Sequence, residues 1–394
     1  MTHTASSDHA PTPLEAPAAI DQRRRILTIG LPACNVDGER RFPLTPEGAA
    51  MLIERGFAIR MQRDAAASIH YSDNAYMRSG VEIVGRDEAL LCDIVIHLAP
   101  LPAADVTRMR RGAMLLTLLH PCRRRKADVK ALLSRHIISI ALDLVKDRQG
   151  NTPFADILSE IDGRAALAIA ASLLADAVHG KGILLGGVAG IIPCETMIIG
   201  SGIAACAAAQ SAAGAGSVVR IFDNDTYSLR AATRRLGEWA VGSVLHPRTV
   251  QAALRSADIV VCTDIDTPFE IDDSMVREMK KGVVAFDLTS DCGRMIPSLP
   301  CVDLASARPG FEQGRCCYVN AGSAVPRTAA MALSNTLLTM LHDIISCEGT
   351  VNALRLLPGL QAAACTFLGR AVNPRVADAA GVRCTDINLY LALS

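Results

Sequence analysis

The chain has 394 residues, half of them hydrophobic, which gives room for two domains with sizeable cores. Lys+Arg 40 balance Asp+Glu 40, so no basic excess draws nucleic acid or an anionic membrane, and the clusters at Arg23 to Arg25 and at residues 123–126 read as solvated surface. The cysteine count is odd, 13, with no paired C-x-x-C motifs and with Cys206, Cys262 and Cys365 in apolar surroundings, which suggests neither a disulfide framework nor a zinc site and suits a reducing cytoplasm.

Residues 1–25 read as a disordered tail. The first twenty are rich in Thr, Ala, Pro and Ser and carry acids but no Lys or Arg, unlike the basic start and apolar core of a signal peptide. The apolar run 26–31 is the first predicted strand. Thr45, Pro46 and Glu47 then supply an N-cap, a first helical position and a first-turn acid, for a helix that stops at Gly56. Strands are expected at 58–61, 93–98, 113–119 (ending at His120) and 137–145, with helices near 73–79 and 127–134. This alternation indicates an α/β domain with a largely parallel sheet. A boundary is expected at Pro153, followed by a long helix over 159–178 capped near Ser159. Further strands are expected at 257–262 and 282–288, the latter ending near Asp291, and a second long helix over 328–345. The two long helices suggest two connections between two domains, and so a hinged cleft. The segment after Cys347 is apolar enough to pack but has no evident place.

Residues 195–225 hold the densest pattern. Met197 to Ile199 read as a buried strand, Gly200, Gly202 and Ala205 stand as G-x-G-x-x-A, and residues 218–222 read as the next strand, ended by Asp223. Gly200 permits the tight turn, Gly202 allows close approach of a pyrophosphate, and Ala205 lets the following helix pack on the strand and aim its N-terminus at the phosphates. Asp223, about 20 residues past the glycines, suits the ribose hydroxyls of NAD and opposes a 2′-phosphate. No charged residue occurs from Thr196 to Val219, but the stretch is broken by glycines at 200, 202, 214 and 216, so two short elements explain it better than a membrane span.

Several blocks resemble the family of alanine dehydrogenase and the nicotinamide nucleotide transhydrogenase α-subunit. They are residues 41–48 (RFPLTPEG), 117–120 (TLLH), 159–164 (SEIDGR), 180–190 (GKGILLGGVAG), the dinucleotide fingerprint, 286–293 (FDLTSDCG) and 320–335 (NAGSAVPRTAAMALSN). The resemblance, from about residue 26 to 345, implies two doubly wound domains with parallel sheets. A Rossmann NAD domain over 154–327 would be inserted into a split substrate domain over 26–153 and 328–394. It further implies NAD-dependent oxidation of L-alanine, or a related small amino acid, to its 2-keto acid and ammonia, by a cytoplasmic homo-oligomer, a dimer or hexamer. By that likeness Arg41 binds the substrate carboxylate, which suits a guanidinium fork. His120 moves the proton, since an imidazole changes charge near neutral pH. Asp291 lies near the nicotinamide and helps activate water or ammonia. Ser159, Gly200, Gly202, Ala205, Asp223 and Asn320 match cofactor-contacting positions.

One departure bears on the substrate. The family lysine that helps hold the carboxylate is missing from Ile96-His97-Leu98-Ala99-Pro100, where His97 or Ala99 takes its position, and His97 is a candidate substitute. Leu142 replaces a usual aromatic residue, Arg294 stands where glycine is common, and Cys292 beside Asp291 is a further candidate. Three readings follow. They are an alanine dehydrogenase-like enzyme, a reductase that condenses an amine or amino acid with a 2-keto acid, and an NAD-binding homologue without catalysis.

Overall fold

A computed structural model describes residues 26–120, 123–289, 294–306, 316–347 and 349–391. Asp291 and Cys292 lie outside the described residues, as does the segment 1–25. The strands are β1 (Thr28–Leu31), β2 (Ala58–Gln62), β3 (Glu82–Val84), β4 (Ile94–Ile96), β5 (Met114–Thr117), β6 (Ile138–Ala141), β7 (Glu195–Ile199), β8 (Val218–Phe222), β9 (Ala240–Ser243), β10 (Ile259–Cys262), β11 (Val284–Asp287), β12 (Cys301–Asp303), β13 (Cys317–Val319), β14 (Ala364–Phe367) and β15 (Arg370–Ala371). They form an eight-stranded sheet in the order β15-β14-β6-β5-β4-β1-β2-β3 and a seven-stranded sheet in the order β12-β13-β11-β10-β7-β8-β9.

The second sheet is parallel throughout. Its strands are apolar on both faces because helices cover both. Ile198, Ile221, Val261 and Phe286 point into one core, and the alternate residues Met197, Phe222, Val260 and Ala285 into the other. The first sheet is parallel from β3 to β6 and antiparallel at β14 and β15. This antiparallel edge departs from the expected parallel sheet. It also gives a place to the apolar C-terminal segment: β14 lies against β6 and turns through Leu368 and Gly369 into β15, a reversal that needs no crossover helix.

In both sheets the strand order reverses beside the first strand of the unit, between β1 and β4 and between β7 and β10. Clefts at such reversals, outside the carboxyl ends of the strands, are where open α/β sheets bind ligands. Two long helices tie the sheets together. Helix Pro153–Ala175 buries Phe154 and Leu158 in the first core and Ala166, Ala170 and Leu174 in the second. Each large side chain so buried contributes roughly 1.5–3 kcal/mol. Helix Pro326–Ser346 buries Leu333, Leu337 and Leu341 in the first core. Both begin earlier than the sequence reading places them, because Pro153 and Pro326 open the helices rather than block them; proline at the first helical position lacks only an N–H that has no intrahelical partner there. Ser159 is therefore inside the first helix and not at its cap. Helix Pro46–Glu54 starts as expected, with Thr45 Oγ1 accepting from the Gly48 N–H.

Candidate active site

The carboxyl ends of β1, β5 and β6 from the first sheet and of β10, β11 and β13 from the second line one cavity of about 1070 Å³. Arg41, His120, Ser159 and Asn320, widely separated in sequence, all stand in its wall. Thr289 and Arg294 also line the wall. The Asp287 carboxylate accepts from Thr289 N at 3.1 Å, Thr289 Oγ1 at 2.5 Å and Met295 N at 2.8 Å.

Behind Arg41 and His120 in the wall lies the buried Glu39. Arg41, 8 % exposed, donates from Nε to Glu39 Oε1 at 2.8 Å and from Nη2 to Oε2 at 2.6 Å, a bidentate fork, while its backbone N–H reaches Oε1 at 2.9 Å. His120 Nε2 lies 4.0 Å from Glu39 Oε2. Burial pushes the Glu39 carboxyl up, but the Arg41 guanidinium, its hydrogen bonds and the nearby imidazole outweigh this and hold it below the usual carboxylate range. Behind His120, Asp143 Oδ1 accepts from Leu119 N at 2.8 Å, and burial raises the Asp143 carboxyl. Asp162, one turn along the linking helix from Ser159, accepts from Gly322 N at 2.6 Å. Its recessed setting pushes its carboxyl up against the pull of Arg41. A carboxyl raised in this way binds a proton more readily than a free one, so the wall combines a guanidinium, an imidazole and carboxylates of unequal basicity.

Glu39, Asp143 and Asp162 were not among the sequence candidates. Asp162 lies inside the matching block at 159–164, and Glu39 sits two residues before Arg41. Nothing local marks Asp143, which ended up inside a predicted strand. The strand stops at Ala141 and a 3-10 turn over Leu142–Leu144 presents the carboxylate.

His97 is 2 % exposed and is not part of the cavity wall. Its Nδ1 lies 2.6 Å from the Ala99 carbonyl, and burial lowers its tendency to charge, with the Arg86 cation adding to the effect. Ala99 is wholly buried, and no lysine lines the described wall.

The fingerprint residues Gly200, Gly202, Ala205 and Asp223 do not line this cavity and stand at the ends of β7 and β8. Gly200 has φ +102, and a Cβ there would stand 2.0 Å from Thr263 Oγ1. Gly202 has an ordinary φ of −72 and nothing within 4 Å of where a Cβ would be. The protein itself gives no reason for glycine at 202, and the open space before helix Ile203–Gly214 is of the kind that suits a pyrophosphate. Ala205 is buried between that helix and the sheet. Asp223, at the end of β8 and 6 % exposed, accepts from Ser201 Oγ at 2.6 Å and from Asp225 N at 2.9 Å. Asn320, in a left-handed backbone conformation with φ 64, donates from Nδ2 to the Gly38 carbonyl and to Asp303 Oδ1, so it joins the two sheets across the cavity mouth. Among the described residues no group of three His, Cys, Asp or Glu could hold a metal ion, and no helix is long and apolar enough to cross a membrane.

Two family descriptions match this chain: the N-terminal domain of alanine dehydrogenase/PNT over residues 30–161 and the C-terminal domain over residues 166–374. The chain belongs to the alanine dehydrogenase/PNT family. Within it, the chain is similar to the alanine dehydrogenase of Mycolicibacterium smegmatis, 28% identical over 373 residues that cover 93% of this chain and 100% of the relative. A solved L-alanine dehydrogenase superposes with a TM-score of 0.79 at 25% identity, over 90% of this chain and 99% of the other. The transhydrogenase from Sinorhizobium meliloti shares the fold, with a TM-score of 0.70 at 18% identity over 88% and 99% of the two chains.

Proposed function

We propose that this chain is an NAD-dependent dehydrogenase of L-alanine or a related small amino acid. The observation that carries the reading is Arg41 and His120 standing together in the cavity wall, with the buried Glu39 carboxylate behind both. Gly200, Gly202, Ser159, Asp223 and Asn320 would hold the dinucleotide, with Ala205 keeping its helix close to the strand. Bound there, NAD would supply the acceptor for the hydride that leaves the substrate Cα. Arg41 holds the substrate carboxylate, and Glu39 fixes the plane of its guanidinium. His120 Nε2 takes the proton released as the amine becomes an imine and then a carbonyl. Asp291 activates the water that adds to the imine, with ammonia leaving. The two sheets bring the reactants together in one cavity and exclude bulk water, which lowers the barrier through orientation. His97, buried off the wall, is left out of the substrate contacts.

A second reading has one observation in its favour: no lysine lines the described wall to share the carboxylate with Arg41. A wall whose cations are arginines (Arg41, Arg123, Arg294 and Arg375) suits a 2-keto acid that gains further binding from an amine partner, as in a reductase that condenses the two. A cytoplasmic homo-oligomer belongs to the same proposal. Leu184, Ile191 and Ile192, 67%, 67% and 86% exposed on one hairpin-like segment, are an apolar surface that a second copy would cover.

The test is NADH formation from a panel of L-amino acids at alkaline pH, with NAD binding followed by calorimetry. Alanine turnover that collapses in His120→Ala supports the first reading. Turnover of pyruvate with an amino acid but not with ammonia supports the second. NAD binding with no turnover in either assay overturns both.

A further inference from the structure

We propose that Arg124 is a positioning residue for His120: its buried guanidinium clamps the carbonyls of Leu118 and Leu119 and so fixes the turn that carries the imidazole to the cavity. The effect on catalysis rests on the functional reading above, whereas the clamp rests on geometry alone.

Arg124 is 7 % exposed and, unlike its neighbour Arg123, does not line the cavity. Its Nε donates to the Leu119 carbonyl at 2.5 Å and its Nη2 to the Leu118 carbonyl at 3.0 Å. Among the described residues it forms no ion pair. A guanidinium taken out of water and given only neutral carbonyls is an expensive arrangement unless the backbone it holds matters. That backbone is held from its other edge as well, since Leu119 N donates to Asp143 Oδ1 at 2.8 Å. A cation on the carbonyl edge and an anion on the N–H edge thus grip one peptide, and each offsets the other's field.

The residue immediately after the grip is His120, with φ 38. That conformation is unfavourable for a side chain with a Cβ and persists only where the surroundings impose it. The Arg123 N–H donates to the His120 carbonyl at 3.1 Å, and among the described residues the last backbone bond from the end of β5 to a neighbouring strand end is Leu118 N to the Leu98 carbonyl at 3.0 Å. The charged groups around the imidazole are Glu39 from the β1 end, Asp143 from the β6 turn, and Arg123 and Arg124 from its own loop. Removing Arg124 therefore loosens the direction of the ring without taking away any group that touches substrate.

The experiment compares the full-length wild-type chain with Arg124→Met and Arg124→Lys. Steady-state kinetics on the amino acid turned over best are expected to show kcat lower by about a hundredfold in Arg124→Met, the scale of a small displacement of a catalytic group. KM for the amino acid and for NAD should change little. Arg124→Lys, which keeps a donor for one carbonyl, should recover part of kcat. In parallel, the ring nitrogens of His120 are observed by NMR on histidine-labelled protein, assigned by their loss in His120→Gln. They should move in Arg124→Met and move less in Arg124→Lys. Unchanged kcat in Arg124→Met, or ring signals that stay in place in a folded variant, overturns the proposal. If Arg124→Met does not fold, the Lys variant decides by the same two readouts. If the wild type turns over no substrate, the functional reading fails, and the His120 ring signals alone decide the clamp.

Discussion

At the carboxyl end of β7 the chain presents Gly200, Ser201 and Gly202, followed by a helix with no charged side chain in its first two turns. At the carboxyl ends of β1, β5 and β6 it presents Glu39, Arg41, His120 and Asp143. The two sheets share a parallel, doubly wound design and a reversal of strand order at the same place, so the contrast does not come from topology. Under the proposed function, it comes from what each end would recognise. A pyrophosphate can be held by backbone N–H groups and a helix dipole, provided side chains stay away. A small zwitterion has to be held and turned over by charged side chains that are themselves held in place, and those side chains need partners inside the protein before any substrate arrives.

The largest effect expected from this contrast is on chemistry. Replacing His120 by Ala should lower kcat by about 10²–10⁴-fold, the range for loss of a positioned acid–base group, while NADH affinity measured by fluorescence titration stays near wild type. Loss of NADH affinity alongside kcat would mean that the two halves of the site are not separable as described.

Next comes stability. Glu39→Gln leaves the Arg41 guanidinium buried beside a neutral amide, and breaking a buried pair in this way should cost about 3 kcal/mol, read as a fall in the denaturation midpoint. The sign of the pH dependence follows from the lowered Glu39 carboxyl. Its stabilisation is complete above the ordinary carboxylate value and is lost as pH falls through the depressed one. Wild type should therefore lose stability on acidification more steeply than Glu39→Gln, and parallel acid profiles would argue against a net favourable pair.

The same contrast explains what the sequence could reveal. The dinucleotide end is contiguous in the chain: Gly200, Gly202, Ala205 and Asp223 lie within two strands and one helix, and each has a local physical reason. The substrate end is assembled from residues 39–41, 120, 143 and 162 by long-range strand pairing. Asp143 was hidden inside a predicted strand because nothing local shows that β6 ends at Ala141. Arg41 and His120 became candidates only through the blocks around them. The short edge strands β3, β9, β12 and β15, two to four residues each, were missed because so few residues carry no readable alternation. The expected helix over 159–178 was displaced because a proline that ends one element also begins another.

A third prediction separates the two glycines of the fingerprint. Gly200→Ala puts a Cβ into Thr263 Oγ1 at a positive φ and should destabilise the protein by roughly 1–3 kcal/mol. Gly202→Ala meets nothing in the protein, so its melting temperature should match wild type, while NADH affinity falls about tenfold or more because the methyl occupies the place of the phosphates. A Gly202→Ala variant with unchanged affinity would remove the dinucleotide from that strand end.

The smallest effect expected is at Asp223, and it tests whether the backbone-built end still depends on one charge. The carboxylate already accepts from Ser201 Oγ and from the Asp225 N–H. Each carboxylate oxygen has a second lone pair, so both ribose hydroxyls can bind without displacing either partner. Asp223→Asn keeps one acceptor oxygen and turns the other into a donor, which costs one hydroxyl contact. It also removes the negative charge that would repel a 2′-phosphate. NAD affinity should fall about fivefold, the ~1 kcal/mol of a single net hydrogen bond, and the preference for NAD over NADP should narrow, both read by calorimetry on the same preparation. A fall in NAD affinity without any narrowing would mean that the ribose hydroxyls are held but that a 2′-phosphate is refused by shape, not by charge. That outcome would leave the cofactor end without an electrostatic determinant and would make its contrast with the charged wall at Glu39 complete.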